Sequence, residues 1–436
     1  MKFYNREKEI EKLIQVRKLA AISAQMTFVV GRRRIGKTRL LLNANEDVKS
    51  IYFFVARKNE ALLCAEWVEL IQDELGITIY GEIKSFSVLF ELLLKESKKQ
   101  SFTLIIDEFQ DFKRVNASVY SDMQRLWDTH KEESKINLIL CGSVYAMMKK
   151  IFEHSKEPLF GRATQRIHVK PFEIDTIKEI LSDFHPTYSS EDLLAFYMIT
   201  GGVAKYIEVL IENNAFTKEK ILDTVLSENS LFIEEGKNVL IEEFGKDYGN
   251  YFSILSLIAS GKTARVEIES ILEVETGGFL SRLEHEYNII KSIRSVLAKE
   301  GTRSVKYKIT DKFLSFWFRF IFKYRSAVES GNIAYIKAIV ERDYNTYSGS
   351  VLEDYFIEKI KAQKQYNLIG NYWERKNKNE IDIVAINDLE QKVLIAEIKR
   401  QKKNININDL KEKSLKIQSN FKKYTFEYKG FSMEGM

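Results

Sequence analysis

The apolar pattern of this chain changes character near Pro171. Up to there, short continuous apolar runs are separated by stretches with helical spacing. Residues 7–19 carry apolar positions at Ile10, Leu13, Ile14 and Val16, the spacing of one helical face. Thr27-Phe28-Val29-Val30 then predicts a first strand, and Ile51-Tyr52-Phe53-Phe54-Val55 a second. Residues 61–75 and 85–99 predict amphipathic helices. Phe102-Thr103-Leu104-Ile105-Ile106 is a third apolar run, residues 118–127 read as helix, and Asn137-Leu138-Ile139-Leu140-Cys141 is a fourth run. Arg166-Ile167-His168-Val169 predicts the last strand. Continuous runs suit parallel strands buried on both faces. Strands alternating with helices predict a three-layer α/β domain over 1–171.

From Pro171 the pattern is helical, with segments at 173–184, 191–199, 203–212, 218–226 and from Leu231, broken at Gly201-Gly202. These predict an all-helical segment over 172–246. Three short helices at 251–259, 265–272 and 279–287 follow, then strand-like runs at 289–296 and 305–309 joined by a Lys-Glu-Gly turn. Three helices and a hairpin are the parts of a winged helix; a plain helical linker domain shares the helices. This module, with the aromatic stretch from Phe313 to Tyr324, spans 247–325. Such aromatic density suits base stacking or a buried helix, the latter being its more frequent use. The last part, 326–436, returns to mixed α/β. A helix at 351–361 precedes strands at 368–374, 380–386 and 392–399, then a helix at 409–417 and a strand at 424–428.

Composition adds limits. A chain of 436 residues exceeds what one core supports, which predicts several domains. Hydrophobic content of 45% with only three prolines leaves little room for disordered linkers. A net charge of +5 permits nucleic-acid binding only through a local basic face. Cys64 and Cys141 are far apart in apolar or helical contexts, which argues against a disulfide framework or zinc site and fits a reducing cytosol. The N-terminal residues have no signal-like apolar core, and no run reaches the ~18 apolar residues of a membrane span. A soluble, cytoplasmic protein with no membrane partner is expected.

The chemistry concentrates first at Gly31-Arg32-Arg33-Arg34-Ile35-Gly36-Lys37-Thr38, which fits G-x-x-x-x-G-K-[ST] between a strand and a helix that starts with Arg39 and three leucines. Gly31 and Gly36 let several N–H groups face one anion, and the helix adds the positive end of its dipole. Lys37 is placed for the β- and γ-phosphates, and the Thr38 hydroxyl for Mg²⁺. Asp107-Glu108, closing a buried run, is a Walker B pair: Asp107 for the magnesium shell, Glu108 to polarise the attacking water. Ser143 after the next strand reads as a γ-phosphate sensor or as a turn serine. Arg162 reads as an arginine finger or as a solvated surface residue. Arg32, Arg33 and Arg34 add positive field beside the phosphates.

With these pieces in place the chain resembles the archaeal-type ATPases of the P-loop class, within the AAA+/STAND assemblage. The matching segments are Tyr4-Asn5-Arg6-Glu7, the glycine loop, Ile105-Ile106-Asp107-Glu108-Phe109-Gln110, Leu159-Phe160-Gly161-Arg162, Pro171-Phe172 and Gly201-Gly202-Val203-Ala204-Lys205-Tyr206. The resemblance covers residues 1–230. It implies ATP and Mg²⁺ as cofactors, a sheet of order 5-1-4-3-2, a helical lid, and Ser143 and Arg162 as sensor and finger. Ala204 departs from the proline more usual there, which touches the lid and not the chemistry.

A second set of carboxylates lies near the C-terminus. Period-two geometry puts Glu380 and Asp382 on one strand face, and Glu397 and Lys399 on one face of the next, with Glu353 on the preceding helix. Two carboxylates meeting across strands can bind Mg²⁺ while a lysine orients water. The order helix, three strands, helix, strand resembles the PD-(D/E)xK, restriction-endonuclease-like pattern. That resemblance implies Asp382 and Glu397 as metal ligands, Lys399 as catalytic lysine and Glu353 as an auxiliary acid. The region also resembles the domain of unknown function that commonly follows archaeal-type ATPases. A nuclease-like fold whose charges merely cap a solvated sheet would read alike. Lys399-Arg400-Gln401-Lys402-Lys403, with Lys411, Lys413 and Lys416, suits a phosphate backbone or an exposed basic helix. The expectation is an ATPase, in one or several copies, that couples hydrolysis to DNA binding or processing. The alternative is a regulatory NTPase switch whose C-terminal domain recognises a protein partner without cutting.

Overall fold

The computed structural model describes residues 2–244, 248–298, 305–374 and 378–436. The chain forms two compact units, Met1–Pro171 and Phe172–Met436.

In the first unit, β1 (Gln25–Val30), β2 (Ser50–Phe54), β3 (Phe102–Asp107), β4 (Ile136–Gly142) and β5 (Gln165–His168) form one sheet in the order β2-β3-β4-β1-β5. Every pairing is parallel. That is the expected 5-1-4-3-2 order read from the other edge. The reason is visible in burial: all six residues of β3 and all seven of β4 are shielded, as strands covered on both faces must be. Helices at Glu60–Leu75 and Phe86–Glu96 cover one side through Trp67, which stacks on Phe53 at 4.7 Å and meets Phe86 edge-on at 5.6 Å. A helix at Tyr145–Glu153 was not foreseen; it is short, and only Met148, Ile151 and Phe152 are buried.

The second unit opens with helices at Ile174–Phe184, Ser190–Thr200, Ala204–Glu212, Lys218–Val225 and Leu231–Phe244. Helices at Tyr248–Ala259, Arg265–Leu272 and Gly277–His285 precede an antiparallel pair, β6 (Ile290–Ile293) and β7 (Lys306–Ile309). The Lys-Glu-Gly turn expected between these strands lies outside the described residues, as does the boundary expected at 246/247. Ala264 bridges to Lys306, and the Tyr307 N–H donates to the Thr263 carbonyl at 2.8 Å, so a third short segment joins the pair.

The aromatic stretch runs through α, π and 3₁₀ turns between Lys312 and Tyr324. Phe313, Phe316, Trp317, Phe318 and Phe320 are buried, and Trp317 Nε1 donates to the Ile233 carbonyl at 2.7 Å. These rings pack within the unit, which leaves them closed to base stacking.

The helix expected at 351–361 is the end of a 30-residue helix, Ile333–Ala362. Its buried residues, from Ile333 through Tyr344 to Ile360, fall on several faces, so the polar–apolar period that marks a surface helix is lost. Strands β8 (Leu368–Tyr372), β9 (Ile381–Asn387), β10 (Lys392–Ile398) and β11 (Thr425–Phe431) follow. They order as β11-β10-β9-β8, with β8, β9 and β10 an antiparallel meander and β11 parallel to β10. The single helix expected at 409–417 is two, Ile407–Lys413 and Leu415–Asn420, separated at Ser414, whose buried hydroxyl hydrogen-bonds to Lys411 and Tyr428. Among the described residues no helix is long and apolar enough to cross a membrane.

Candidate functional site

The carboxyl ends of β1, β3 and β4 share one edge of the parallel sheet, because Val30 is in register with Gly142 and Phe54 with Asp107. Ligands of open α/β sheets bind at such an edge, where the strand order reverses. The chain leaves β1 at Gly31, where a Cβ would come within 2.7 Å of the Val169 carbonyl oxygen. It enters the next helix, Lys37–Ala44, through Gly36 at φ 92, a left-handed conformation natural to glycine. No side chain caps that helix. Its first N–H groups and positive dipole end are therefore available to an anion, as phosphate binding requires.

The side chains around the loop are already engaged with one another. Lys37 is buried, and its Nζ donates to the Gly31 carbonyl at 2.9 Å and the Arg32 carbonyl at 3.1 Å. The ammonium is thus folded over the loop it would serve. Thr38 Oγ1 donates to Asp107 Oδ2 at 2.8 Å, and the Tyr52 hydroxyl donates to the same oxygen at 2.7 Å. The Glu108 N–H holds Asp107 Oδ1 at 2.9 Å. Glu108 itself has φ 53, which turns its carboxylate back toward β4. There Ser143 Oγ donates to Glu108 Oε2 at 2.7 Å, and the Gln110 amide donates to the same oxygen. Gly142 makes this approach fit, since a Cβ there would collide with Met148 and Gln110.

Lys37, Thr38, Asp107, Glu108 and Ser143 are therefore brought together. The hydroxyl of Thr38 and the carboxylate of Asp107 supply hard oxygen donors, the kind Mg²⁺ takes while keeping several waters. Ile35 anchors the loop in the core, while Arg33 and Arg39 are exposed and Arg32 and Arg34 half-buried. Arg162 lies elsewhere. It precedes β5, beside Thr164, whose N–H donates to Met26 near the start of β1. Its guanidinium pairs with Asp128 at 2.9 Å and with the Phe160 carbonyl at 3.0 Å, at the amino-terminal edge of the sheet and not at the loop. Tyr52 and Gln110 escaped the sequence reading. The signal for Tyr52 was slight: a lone hydroxyl in the apolar run of β2.

The second constellation forms on the C-terminal sheet. Ile383 pairs with Ala396 in the antiparallel β9–β10 ladder, so Asp382 and Glu397 fall side by side one step further on. Asp382 Oδ2 accepts from the Ile398 N–H at 2.7 Å. Glu397 takes Lys399 Nζ at 3.2 Å on one oxygen and the Asn406 N–H at 3.2 Å on the other. Burial and then the Asp382 charge push the Glu353 carboxyl up to about 7. Burial raises Asp382 as well, against the opposing pull of the Ile398 N–H and Lys399. Glu380 stands just outside β9 and accepts from Lys306 at 3.1 Å. Among the described residues no group of three or more His, Cys, Asp or Glu is arranged to hold a metal ion, so any ion here would depend on water and substrate oxygens as well.

Neighbouring Asp354 behaves oppositely to Glu353. Burial alone would raise it, but Lys308 and Lys312, each at 2.7 Å, hold it well below the usual carboxylate range. Of the basic run after β10, Arg400 turns inward to Glu191 and Ser348, both at 2.6 Å, whereas Lys402, Lys403 and Lys411 are exposed. Between residues 265 and 287 the helix pair of the middle module carries six glutamates against two arginines. Glu267, Glu273, Glu275 and Glu286 are exposed there, as are Val266 and Ile271.

Comparison with known proteins agrees with this edge of the sheet. A family model described as an ATPase domain predominantly from Archaea matches residues 3–210. A model for archaeal and bacterial proteins of unknown function matches residues 317–425. An uncharacterized protein of Methanocaldococcus jannaschii is 30% identical over 430 residues, covering 95% of this chain and 89% of the relative. Among solved structures, the Walker-type ATPase PABY2304 of Pyrococcus abyssi superposes with a TM-score of 0.55 at 18% identity, over 72% of this chain and 96% of that one. The ORC2 protein of Aeropyrum pernix gives a TM-score of 0.48 at 14% identity, over 78% and 96%. The P. abyssi likeness shows a shared fold, and the ATPase-domain match spans the phosphate loop and its facing carboxylates. The chain binds and hydrolyses ATP, and it belongs to the family of ATPase-domain proteins found predominantly in Archaea.

Proposed function

We propose that ATP turnover at the loop governs a nuclease-type carboxylate site in the second unit, which acts on DNA. At the loop, Lys37 and the first-turn N–H groups bind the β- and γ-phosphates, and Thr38 and Asp107 hold Mg²⁺. The ion, when bound, neutralises charge that develops on the phosphate oxygens. Glu108 orients the attacking water, and Ser143, on the same carboxylate, senses the γ-phosphate. Arg162, on the far edge of the sheet, serves a neighbouring copy's nucleotide. Two buried free cysteines suit the reducing cytoplasm.

One observation carries the DNA-processing reading: Asp382 lies beside Glu397, Lys399 sits on that same carboxylate, and Glu353 shares the field of Asp382. Asp382 and Glu397 would hold a divalent ion, Lys399 would orient water, and Glu353 would assist as an acid. A long helix, an antiparallel meander, helices and a parallel strand in that order support a restriction-endonuclease-like domain. The test is Mg²⁺-dependent nicking of supercoiled plasmid with and without ATP. Nicking that disappears in Asp382→Ala and Lys399→Ala upholds the reading. No cleavage of plasmid, single-stranded or branched DNA overturns it.

A second reading rests on the middle module. The third segment at Ala264 supports a winged helix, but its helix pair presents glutamates and apolar side chains where duplex phosphates would demand cations. That face suits a basic protein partner, with the ATPase acting as a switch and DNA contact left to the exposed lysines after β10.

A further inference from the structure

We infer that Tyr52 is a positioning residue for the ATPase reaction: its hydroxyl fixes the Asp107 carboxylate in the orientation that receives Mg²⁺. This rests on the reading of Asp107 as the magnesium carboxylate. Tyr52 lies on β2, two residues before Phe54, which is in register with Asp107, so the phenol and the carboxylate project from the same face of adjoining strands. The hydroxyl reaches along the ladder to Asp107 Oδ2 at 2.7 Å, a charge-assisted hydrogen bond. Its neighbour Phe53 is fully buried and meets the core with a plain ring. Position 52 differs in carrying a donor, and that donor is spent on Asp107.

Asp107 is held at three points: Glu108 N–H on Oδ1, and Thr38 Oγ1 and Tyr52 on Oδ2. The Thr38 hydroxyl is the group that a bound ion would recruit. That hydroxyl can offer a lone pair to the ion while still donating its proton to Oδ2, and Tyr52 is the second side-chain donor that keeps the carboxylate from rotating. Outer partners of metal-binding carboxylates typically change metal affinity or activity ~10–100-fold when removed. Tyr52 needs no contact with the nucleotide to act.

The test uses the full chain, a fluorescent ATP analogue and a Mg²⁺ titration, with binding in EDTA as the fold control. Tyr52→Phe should raise the half-saturating Mg²⁺ for nucleotide binding by about tenfold and leave affinity in EDTA unchanged. Asp107→Asn should shift the same midpoint, and the double variant should behave like Asp107→Asn alone, because Tyr52 acts through it. If Asp107→Asn shifts the midpoint and Tyr52→Phe does not, or if their effects add, the positioning role is overturned. If Asp107→Asn leaves the midpoint unchanged, the magnesium reading of Asp107 fails, and the inference fails with it. Loss of EDTA binding in Tyr52→Phe would make the hydroxyl a packing element and overturn the inference as well.

Discussion

At the scale of single residues, the roles proposed for Lys37 and Glu108 are separable. Lys37, the proposed phosphate-binding charge, closes the loop by bonding the Gly31 and Arg32 carbonyls. Lys37→Ala should weaken ATP binding at least ~10-fold, measured by calorimetry, since a charge-assisted contact is worth roughly 1.5–3 kcal/mol. Glu108 is positioned by Ser143 and Gln110 and not by the loop. Glu108→Gln keeps the size of the side chain and an acceptor oxygen for Ser143. Binding should survive while turnover in a phosphate-release assay falls ~100-fold or more, the usual weight of a lost general base. Unchanged turnover would remove Glu108 from that role. Lys37, Thr38, Asp107 and Glu108 were legible because their chemistry demands a fixed order along the chain. Tyr52 was not, because its partner lies on a different strand.

At the scale of elements, packing and buried charge decide what propensity cannot. Gly236 lies inside the helix Leu231–Phe244, where alanine would ordinarily gain ~0.5–1 kcal/mol. Here a Cβ would run into the indole of Trp317. Overpacking costs about 1–3 kcal/mol, so Gly236→Ala should lower stability in urea unfolding despite its helix preference. Asp354 fastens the long helix to Lys308 of β7 and to Lys312. Asp354→Asn leaves the buried Lys312 with only its longer 3.5 Å contact to Glu358 and should cost about 3 kcal/mol at pH 7. The folded Asp354 carboxyl lies below its ordinary value of 3.8, so its contribution is present above that value and lost as pH falls through the folded one. The gap between wild type and variant should therefore narrow in unfolding experiments below pH ~4.

At the scale of the molecule, the distribution of function turns on Arg162. It sits on the sheet edge opposite the phosphate loop, paired with Asp128. If it completes the site of a neighbouring copy, specific ATPase activity should rise with protein concentration in the wild type. Arg162→Ala should abolish that rise, and mixing Arg162→Ala with Lys37→Ala chains should restore part of the activity by pairing an intact loop with an intact arginine. Concentration-independent turnover, with no recovery on mixing, would assign Arg162 to the surface. Within the second unit, Arg400 joins Glu191 at the start of the helix Ser190–Thr200 to the end of β10. The helix Ser190–Thr200 and the carboxylate sheet are thus fastened by a direct ion pair beside Lys399.

The local order of residues determined the alternating α/β core and the phosphate loop, while the strand order was expected only from the family resemblance. Each depends on short-range periodicity, or on a loop whose glycines and lysine must be consecutive. Much of the helical stretch was readable too, since most of its helices bury one face. The 30-residue helix was only partly readable, because burial on several faces erased its period. Tertiary structure alone decided that the Tyr52 hydroxyl joins Thr38 on Asp107 and which end of the sheet carries Arg162. Those facts depend on register between strands far apart in sequence. It also turned the aromatic stretch inward, an outcome fixed by what that segment packs against and not by composition.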